Sequence, residues 1–346
     1  MAVTLRDVAA RAGVSPVVVS RVLHNKAVSV RVSDATAERV RQAAADLGYR
    51  VNIWARNFRM QQTMMIGVLH GIGFERNRLD RGSRYFAALM EGIVEGAFRH
   101  GYSVTLCPKL LGSSPEDAMT DGRFDGLVWY STLPSEENHR MLMNCSVPLV
   151  VIHEHAEHFD NRFPCVICDN DKGIRLAVEH LASLGHRHIA YVWDGLTFNL
   201  EARERRRSFE AHIDRLGLPR DGRSVLDFRR DPELIDRYMS SNRPHTALIT
   251  YSEEAATLLY EGAKRCGVRI PDDISVIGFD STDYCNELNP GLTAVSQPLS
   301  LMGETAIELL VQSINGQSPD PLEIVLPCGL DVRGSTKSIE EQVNSS

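Results

Sequence analysis

The run His153-Glu-His-Ala-Glu-His158 places three imidazoles and two carboxylates within six residues, the donor types that bind divalent metals. Metallohydrolases of this kind carry His-Glu-x-x-His on a helix, which puts both rings on one face. Here Glu157 stands four residues after His153, and the segment follows a β-branched strand. It reads as strand-end loop histidines, with no metal and no cofactor. Cys165-Val-Ile-Cys168 has thioredoxin-like spacing but lies within an apolar run instead of opening a helix, so the seven cysteines read as buried free thiols. Gly71-Ile-Gly73 follows a strand, yet Arg76 replaces the third glycine of a dinucleotide loop. No P-loop or nucleophile-elbow serine is present. These residues do not assemble an enzyme.

The elements that carry the chemistry are better located by charge. The chain has 346 residues and a net charge of −7. Residues 1–62 hold ten Lys/Arg against four Asp/Glu, and the remainder holds 28 against 41. A basic head on an acidic body suits a polyanionic partner. Composition is ordinary for a soluble globular chain, at 43% hydrophobic and 24% charged residues. No apolar run approaches the ~18 residues of a membrane span. The charged start (Met1 to Arg11) lacks a signal-peptide core. A cytoplasmic protein without membrane contact is expected.

Within the head, Thr4-Leu-Arg-Asp7 matches a capping box. Leu5, Val8, Ala9 and Ala12 then mark one helix face, and Gly13 suits its left-handed end. Ser15-Pro16 restarts a second helix, with Val19, Val22 and Leu23 inward. A third starts at Ser33-Asp34, turns Ala37, Val40, Ala44 and Leu47 inward, and stops at Gly48. Two helices joined by a short turn and braced by a third form a helix-turn-helix, whose second helix enters the DNA major groove. Ser15, Pro16, Val17, Val18, Ser20 and Arg21 then face the DNA. Arg21 can donate twice to guanine, and Val17 can lie against a thymine methyl.

The run Thr-Leu-Arg-Asp-Val-Ala-Ala-Arg-Ala-Gly-Val-Ser-Pro-Val-Val-Val-Ser-Arg-Val-Leu (4–23) resembles the head of the LacI/GalR family of bacterial transcription regulators. Ala-Thr-Ala-Glu-Arg-Val…Leu-Gly-Tyr-Arg-Val-Asn…Ala-Arg (35–56) continues the match. The resemblance adds Thr4 and Asn25 to the DNA-facing set. It also implies a hinge over 51–63 that folds on operator DNA and enters the minor groove. Asn52, Ala55, Arg56, Phe58 and Arg59 then touch DNA, with Phe58 as the wedge that opens a base step. Three features depart from the family: a longer loop 24–32, Val51 for a common Pro, and Val18 for a common phosphate-binding Thr.

From Met64 onward, β-branched runs alternate with helical stretches. Strands are expected at 65–69, 102–106, 126–130, 148–153, 166–169, 189–193, 247–251 and 275–279. Helices are expected at 86–100, 173–184, 206–216 and 255–266. Such alternation gives parallel sheets with helices on both faces and ligands at the carboxyl ends of strands. The fold class is therefore α/β, and the body is long enough for two lobes around a cleft.

The resemblance covers residues 4–336, through Asp169-Asn170…Gly173, Leu-Gly-His-Arg-His-Ile-Ala190, Pro271-Asp-Asp-Ile-Ser-Val-Ile-Gly-Phe-Asp280, Pro290-Gly-Leu-Thr-Ala-Val-Ser-Gln-Pro298 and Val332-Arg-Gly-Ser-Thr336. It implies a body like the periplasmic sugar-binding proteins, crossing three times between lobes and returning to the first after about residue 291. Beyond it, the short polar end of the sequence is expected to be a disordered tail over 337–346. The tail has no Leu heptad, so a homodimer is expected. Tyr85 and Phe86 match ligand-stacking positions, Tyr130 ends a strand, and Arg205 and Asp280 match residues that grip an effector. His153, Ser252 and Glu253 stand where the family pattern differs, so no relative's effector transfers directly. The resemblance implies a sequence-specific regulator, a repressor of carbohydrate-utilisation genes whose dimer reads a pseudo-palindromic operator under control of a sugar or sugar derivative. A sugar transport protein would lack the basic head, and a sugar-metabolising enzyme would need a catalytic base and phosphate loop.

Overall fold

The computed structural model describes residues 3–24, 32–50, 57, 62–70, 84–106, 119–130, 136–193, 200–219 and 224–339. The chain divides into two compact units, Met1–Thr63 and Met64–Ser346. In the first, α1 (Leu5–Ala12), α2 (Pro16–His24) and α3 (Asp34–Asp46) pack on Val8, Ala9, Ala12, Val19, Val40, Ala43 and Ala44. The Thr4/Asp7 capping box closes on both sides, and Gly13 ends α1 at φ 65°. Ser33 caps α3 through the Thr36 amide.

Among the described residues, the second unit holds two six-stranded sheets. One, built from β1 (Met65–His70), β2 (Ser103–Leu106), β3 (Gly126–Tyr130), β4 (Leu149–Ile152), β5 (Cys165–Cys168) and β11 (Glu323–Leu326), has the order β11-β5-β4-β3-β1-β2. The other, from β6 (Ile189–Trp193), β7 (Val225–Asp227), β8 (Ala247–Thr250), β9 (Ser275–Asp280), β10 (Thr293–Ser296) and β12 (Gly329–Asp331), has the order β12-β10-β9-β8-β6-β7. Pairing is parallel except that β12 runs antiparallel to β10. That antiparallel edge departs from the purely parallel expectation. Strands such as β3, β4, β6 and β8 are buried at every residue, as parallel strands covered by helices on both faces must be.

The helices are α4 (Arg84–Arg99), α5 (Glu136–Met143), α6 (Asn170–Ser183), α7 (Leu200–Arg215), α8 (Pro232–Met239), α9 (Glu253–Arg265), α10 (Tyr284–Glu287) and α11 (Leu299–Ile314). The α4 and α11 backbones approach closely: a Cβ on Gly92 would lie 1.8 Å from the Ser300 carbonyl oxygen. The chain passes between lobes after β5, after β10 and after β11. The return to the first lobe therefore comes after Ser296 and not at about 291, because β10 first completes the second sheet. The last described residues are held, unlike the disorder expected from 337 onward. Lys337 N–H donates to Ser275 Oγ (3.2 Å) and Ile339 N–H to the Leu184 carbonyl (2.9 Å).

α6, α7 and α9 each start earlier than their apolar spacing predicts. Asp169 caps α6 through the Lys172 amide, and Ser252 caps α9 through the Ala255 amide. Those polar first turns carry no hydrophobic periodicity, yet they supply much of the cleft.

Candidate effector cleft and DNA-facing helix

On α2, Ser15, Pro16 and Val17 are exposed, and Val18, Ser20 and Arg21 are half-buried. Val17 is 54% exposed, so it is not core. Arg21 Nη1 is buried and has no hydrogen-bond partner among the described residues. Thr4 uses its hydroxyl in the α1 cap, donating to Asp7 Oδ2 at 2.7 Å. Asn25, Asn52, Ala55, Arg56, Phe58 and Arg59 lie outside the described residues, as do Gly71 to Gly73 and loop residues 25–31.

In the body, carboxyl-terminal strand ends of both sheets converge. His153 follows β4, Cys168 ends β5, Tyr251 follows β8 and Asp280 ends β9. His153 at φ 71° and Asp280 at φ 94° adopt positive φ without being glycine. Such residues cost about 1–3 kcal/mol each and gather at functional sites. Here they lie on opposite lobes and carry the side chains that face the cleft.

Arg205 is the hub. Its Nε donates to Asn170 Oδ1 at 2.8 Å, and its Nη1 donates to the Tyr251 carbonyl at 2.7 Å. Glu201 Oε2 lies 3.5 Å from Nη2, and Asp280 Oδ1 lies 3.8 Å from Nη1. The guanidinium carbon sits 3.7 Å from the Phe279 ring centroid, a cation–π contact. Burial disfavours the charged form of Arg205, but the surrounding acids outweigh that and raise its pKa. Asp280 also accepts from Gln297 Nε2 at 2.5 Å. Burial pushes its carboxyl up to about 6 against the opposing pull of Arg205, with Glu253 adding to the rise.

From the first lobe, His153 Nδ1 meets Glu201 Oε1 at 2.9 Å, and its Nε2 meets the Tyr85 hydroxyl. Burial pushes the Glu201 carboxyl up, but facing His153 and Arg205 together outweigh it and hold the carboxyl at about 2. Phe86 and Tyr130 lie with ring centroids 5.6 Å apart. Tyr85, Phe86 and Tyr130 thus sit on the first lobe, with Tyr85 directed to His153.

Ser252 and Glu253 have local partners. Ser252 Oγ accepts from the Ala255 amide at 3.2 Å. Glu253 accepts from the Thr282 amide at 3.0 Å and its hydroxyl at 2.8 Å, fixing the turn after Asp280. Their side chains shape the strand end beside Asp280.

Four cleft residues were not predicted from sequence. Glu201 and Glu204 precede Arg205 by four residues and one residue on α7, while Asn170 opens α6 and Gln297 follows β10. The α7 stretch Glu201-Ala-Arg-Glu-Arg-Arg-Arg207 looks like a solvated charge run, yet Glu201 and Arg205 are buried. The available signal was helical spacing: Glu201 and Arg205 stand i, i+4 on one face. The histidine-rich segment is drawn into acid pairs. His155 meets Glu204 at 2.7 Å and Glu323 at 3.2 Å, and His158 meets Glu154 at 2.9 Å. Among the described residues no group of three or more His, Cys, Asp and Glu is arranged to hold a metal ion.

Known proteins share this architecture. A model for bacterial regulatory proteins of the lacI family matches residues 4–52, and one for periplasmic binding protein-like domains matches 178–336. The transcriptional repressor PurR of Aliivibrio fischeri (strain MJ11) is 30% identical over 328 residues, covering 90% of this chain and 91% of that protein. The Lac repressor dimer bound to operator and the anti-inducer ONPF superposes with TM-score 0.78 at 25% identity, covering 98% of this chain and 100% of that one. A complex of the transcriptional regulator CelR with cellobiose gives TM-score 0.68 at 27% identity, covering 96% and 99%.

Proposed function

The chain belongs to the lacI family of bacterial regulatory proteins and is a transcriptional regulator; from that premise we propose that it is a cytoplasmic, homodimeric repressor whose operator affinity is set by a small polyhydroxylated effector. Residues 1–50 form the reading head, 51–63 the hinge and 64–336 the effector-binding and dimerising body. The observation that carries this reading is the joining, in one chain, of an exposed recognition helix to a two-sheet body whose strand ends converge on buried Arg205 and Asp280. In the operator complex, α2 lies in the major groove, with Arg21 on base edges and Val17 against a methyl group. Thr4, Ser15, Pro16, Val18, Ser20 and Asn25 border the DNA. Hinge residues Asn52, Ala55, Arg56, Phe58 and Arg59 take the minor groove.

The effector stacks on the Tyr85, Phe86 and Tyr130 side of the cleft and hydrogen-bonds to Arg205 and Asp280. His153, Ser252 and Glu253 shape its specificity. Buried Glu201, Asp280 and Glu253 outnumber the buried bases beside them, Arg205 and His153, and Arg205 Nε and Nη1 are already spent. A phosphate or carboxylate there meets net repulsion, so the cleft favours a neutral sugar or an amine-bearing derivative. The cellobiose in the CelR complex is consistent with that class. A second copy fits α4 and α11, which pack on each other and leave Val94, Phe98 and Leu301 48%, 82% and 49% exposed.

The test is selection of duplexes from a random pool by the purified chain, with melting of the protein against matched neutral, amino and phosphorylated sugars. An inverted-repeat consensus and stabilisation by neutral or amino compounds support the reading. A pool without enrichment removes the DNA-reading role. Stabilisation by the phosphorylated members alone removes the effector class.

A further inference from the structure

The cleft lies at the carboxyl ends of the strands; at the opposite, amino ends, the second lobe is crossed by a strap made of residues 335–339. Ser335 anchors it. Its Oγ accepts from the Thr293 amide at 2.8 Å and donates to the Val276 carbonyl at 2.6 Å, and its carbonyl accepts from the Val276 amide at 2.9 Å. Beyond Ser335 the grip passes to two histidines. His180 Nε2, near the end of α6, meets the Thr336 hydroxyl at 3.0 Å. His186 Nε2, ahead of β6, meets the Lys337 carbonyl at 3.0 Å, while its Nδ1 meets the Thr246 hydroxyl, ahead of β8, at 2.8 Å. The Lys337 amide then donates to Ser275 Oγ at the head of β9, and the Ile339 amide to the Leu184 carbonyl.

These bonds suit neutral rings. His186 is 2% exposed, and because its Nε2 faces a carbonyl, that nitrogen carries the proton and Nδ1 accepts from Thr246. A second proton sets an N–H against a hydroxyl that is already donating. Thr246 Oγ1 must then turn to the His188 carbonyl, a longer contact at 3.4 Å. The surrounding charges oppose protonation as well. His180 on α6 and Lys337 on the strap bring positive charge, and exposed Arg187 and His188 follow directly in the chain. Among the described residues the acid paired with the strap is Asp272, which lies 3.1 Å from Lys337 Nζ and is shared with Arg269 at 3.7 Å. Burial lowers the pKa of both rings; at His186 the bond to the Lys337 carbonyl opposes it and His180 adds to it.

We propose that His180 and His186 are a proton-operated clasp: neutral, they hold residues 336–339 against the second lobe, and on taking up protons they release that segment while the two sheets stay folded. Protons bind more tightly to the released rings, so the clasp is complete above their ordinary value of 6.5 and is lost as pH falls through the lowered values. It involves no cleft residue, so it stands or falls separately from the function proposed above.

The test places a nitroxide on a bio-orthogonal residue at exposed Ser338 of the full-length chain and reads its mobility by continuous-wave EPR from pH 8 to pH 5. The wild type is expected to give a slow-motion spectrum at pH 8 and a fast component that appears reversibly at acid pH, while circular dichroism shows the body still folded. His180→Gln combined with His186→Gln keeps an amide donor and a carbonyl acceptor at each position but takes up no proton, so its spectrum stays slow at pH 5. Histidine ring NMR of the wild type, assigned with the single variants, gives a second reading: the His186 midpoint coincides with release of the strap. A fast wild-type spectrum at pH 8, a slow one at pH 5, or release only as the body unfolds overturns the clasp. So does release of the double variant at the wild-type midpoint, or a His186 midpoint displaced from that of release.

Discussion

Replacing Arg205 with Ala removes the guanidinium that lies between Glu201 and Asp280 and leaves both carboxylates buried. Breaking a buried, hydrogen-bonded ion pair on one side costs about 3–5 kcal/mol, and the lost desolvated stacking on Phe279 adds about 1–2 kcal/mol. Uptake of a proton by Asp280 offsets part of this, leaving a net loss of about 4 kcal/mol. At roughly 2–4 °C per kcal/mol for a unit of this size, melting of the body falls by about 10 °C. The pH dependence follows from the raised carboxyl. Asp280 titrates at about 6 in the folded chain against 3.8 unfolded, so the folded state prefers it protonated. Its contribution is therefore most favourable below pH 3.8 and declines as pH rises through 6. Loss of Arg205 exaggerates that trend, making the defect larger at pH 8 than at pH 5, and Asp280→Asn in the same chain recovers part of it. Differential scanning calorimetry at the two pH values is the assay. A melting point within about 2 °C of wild type at pH 8 refutes the hub role of Arg205, as does a defect that is as large at pH 5.

Arg21→Ala is expected to weaken operator binding by roughly 5- to 150-fold, the ~1–3 kcal/mol of a lost base contact, while effector-induced stabilisation stays intact; fluorescence anisotropy and melting read the two. Gly92→Ala gains up to about 1 kcal/mol of helix propensity, but its Cβ would lie 1.8 Å from the Ser300 carbonyl oxygen, so overpacking dominates and the urea midpoint falls. A raised midpoint contradicts the close α4–α11 crossing. His155 hydrogen-bonds Glu204, which with Glu323 raises its pKa from 6.5 to about 9 against burial, while the His158 ring lies beside it at 5.7 Å between centroids. Its stabilising contribution is complete below pH 6.5 and lost as pH rises through about 9. Wild type should lose several degrees of melting temperature between pH 7 and 10 that His155→Gln does not.

The head was legible because its signals are local. A capping box, Gly13, Ser15-Pro16 and Ser33-Asp34 each fix a helix end within four residues. The buried strands were legible as β-branched runs for the same reason. Edge strands β7 and β12 have three residues each and half-exposed side chains, too short for periodicity to mark them. Arg205 and Asp280 came from motif positions. Their partners Glu201, Glu204, Asn170 and Gln297 are polar residues on different elements, joined only when both lobes are assembled. The acid partners of His153 and His155 on α7 lie 48 and 49 residues away, beyond any local pattern.

The central claim is that one chain couples an effector in the body to DNA read by the head. Its most direct test is operator affinity, measured by anisotropy on the selected duplex, with and without a compound that stabilises the body. Coupling of this kind amounts to about 1–3 kcal/mol, so affinity should change by roughly 5- to 150-fold at saturation. An affinity that does not move while the compound saturates the cleft contradicts the account.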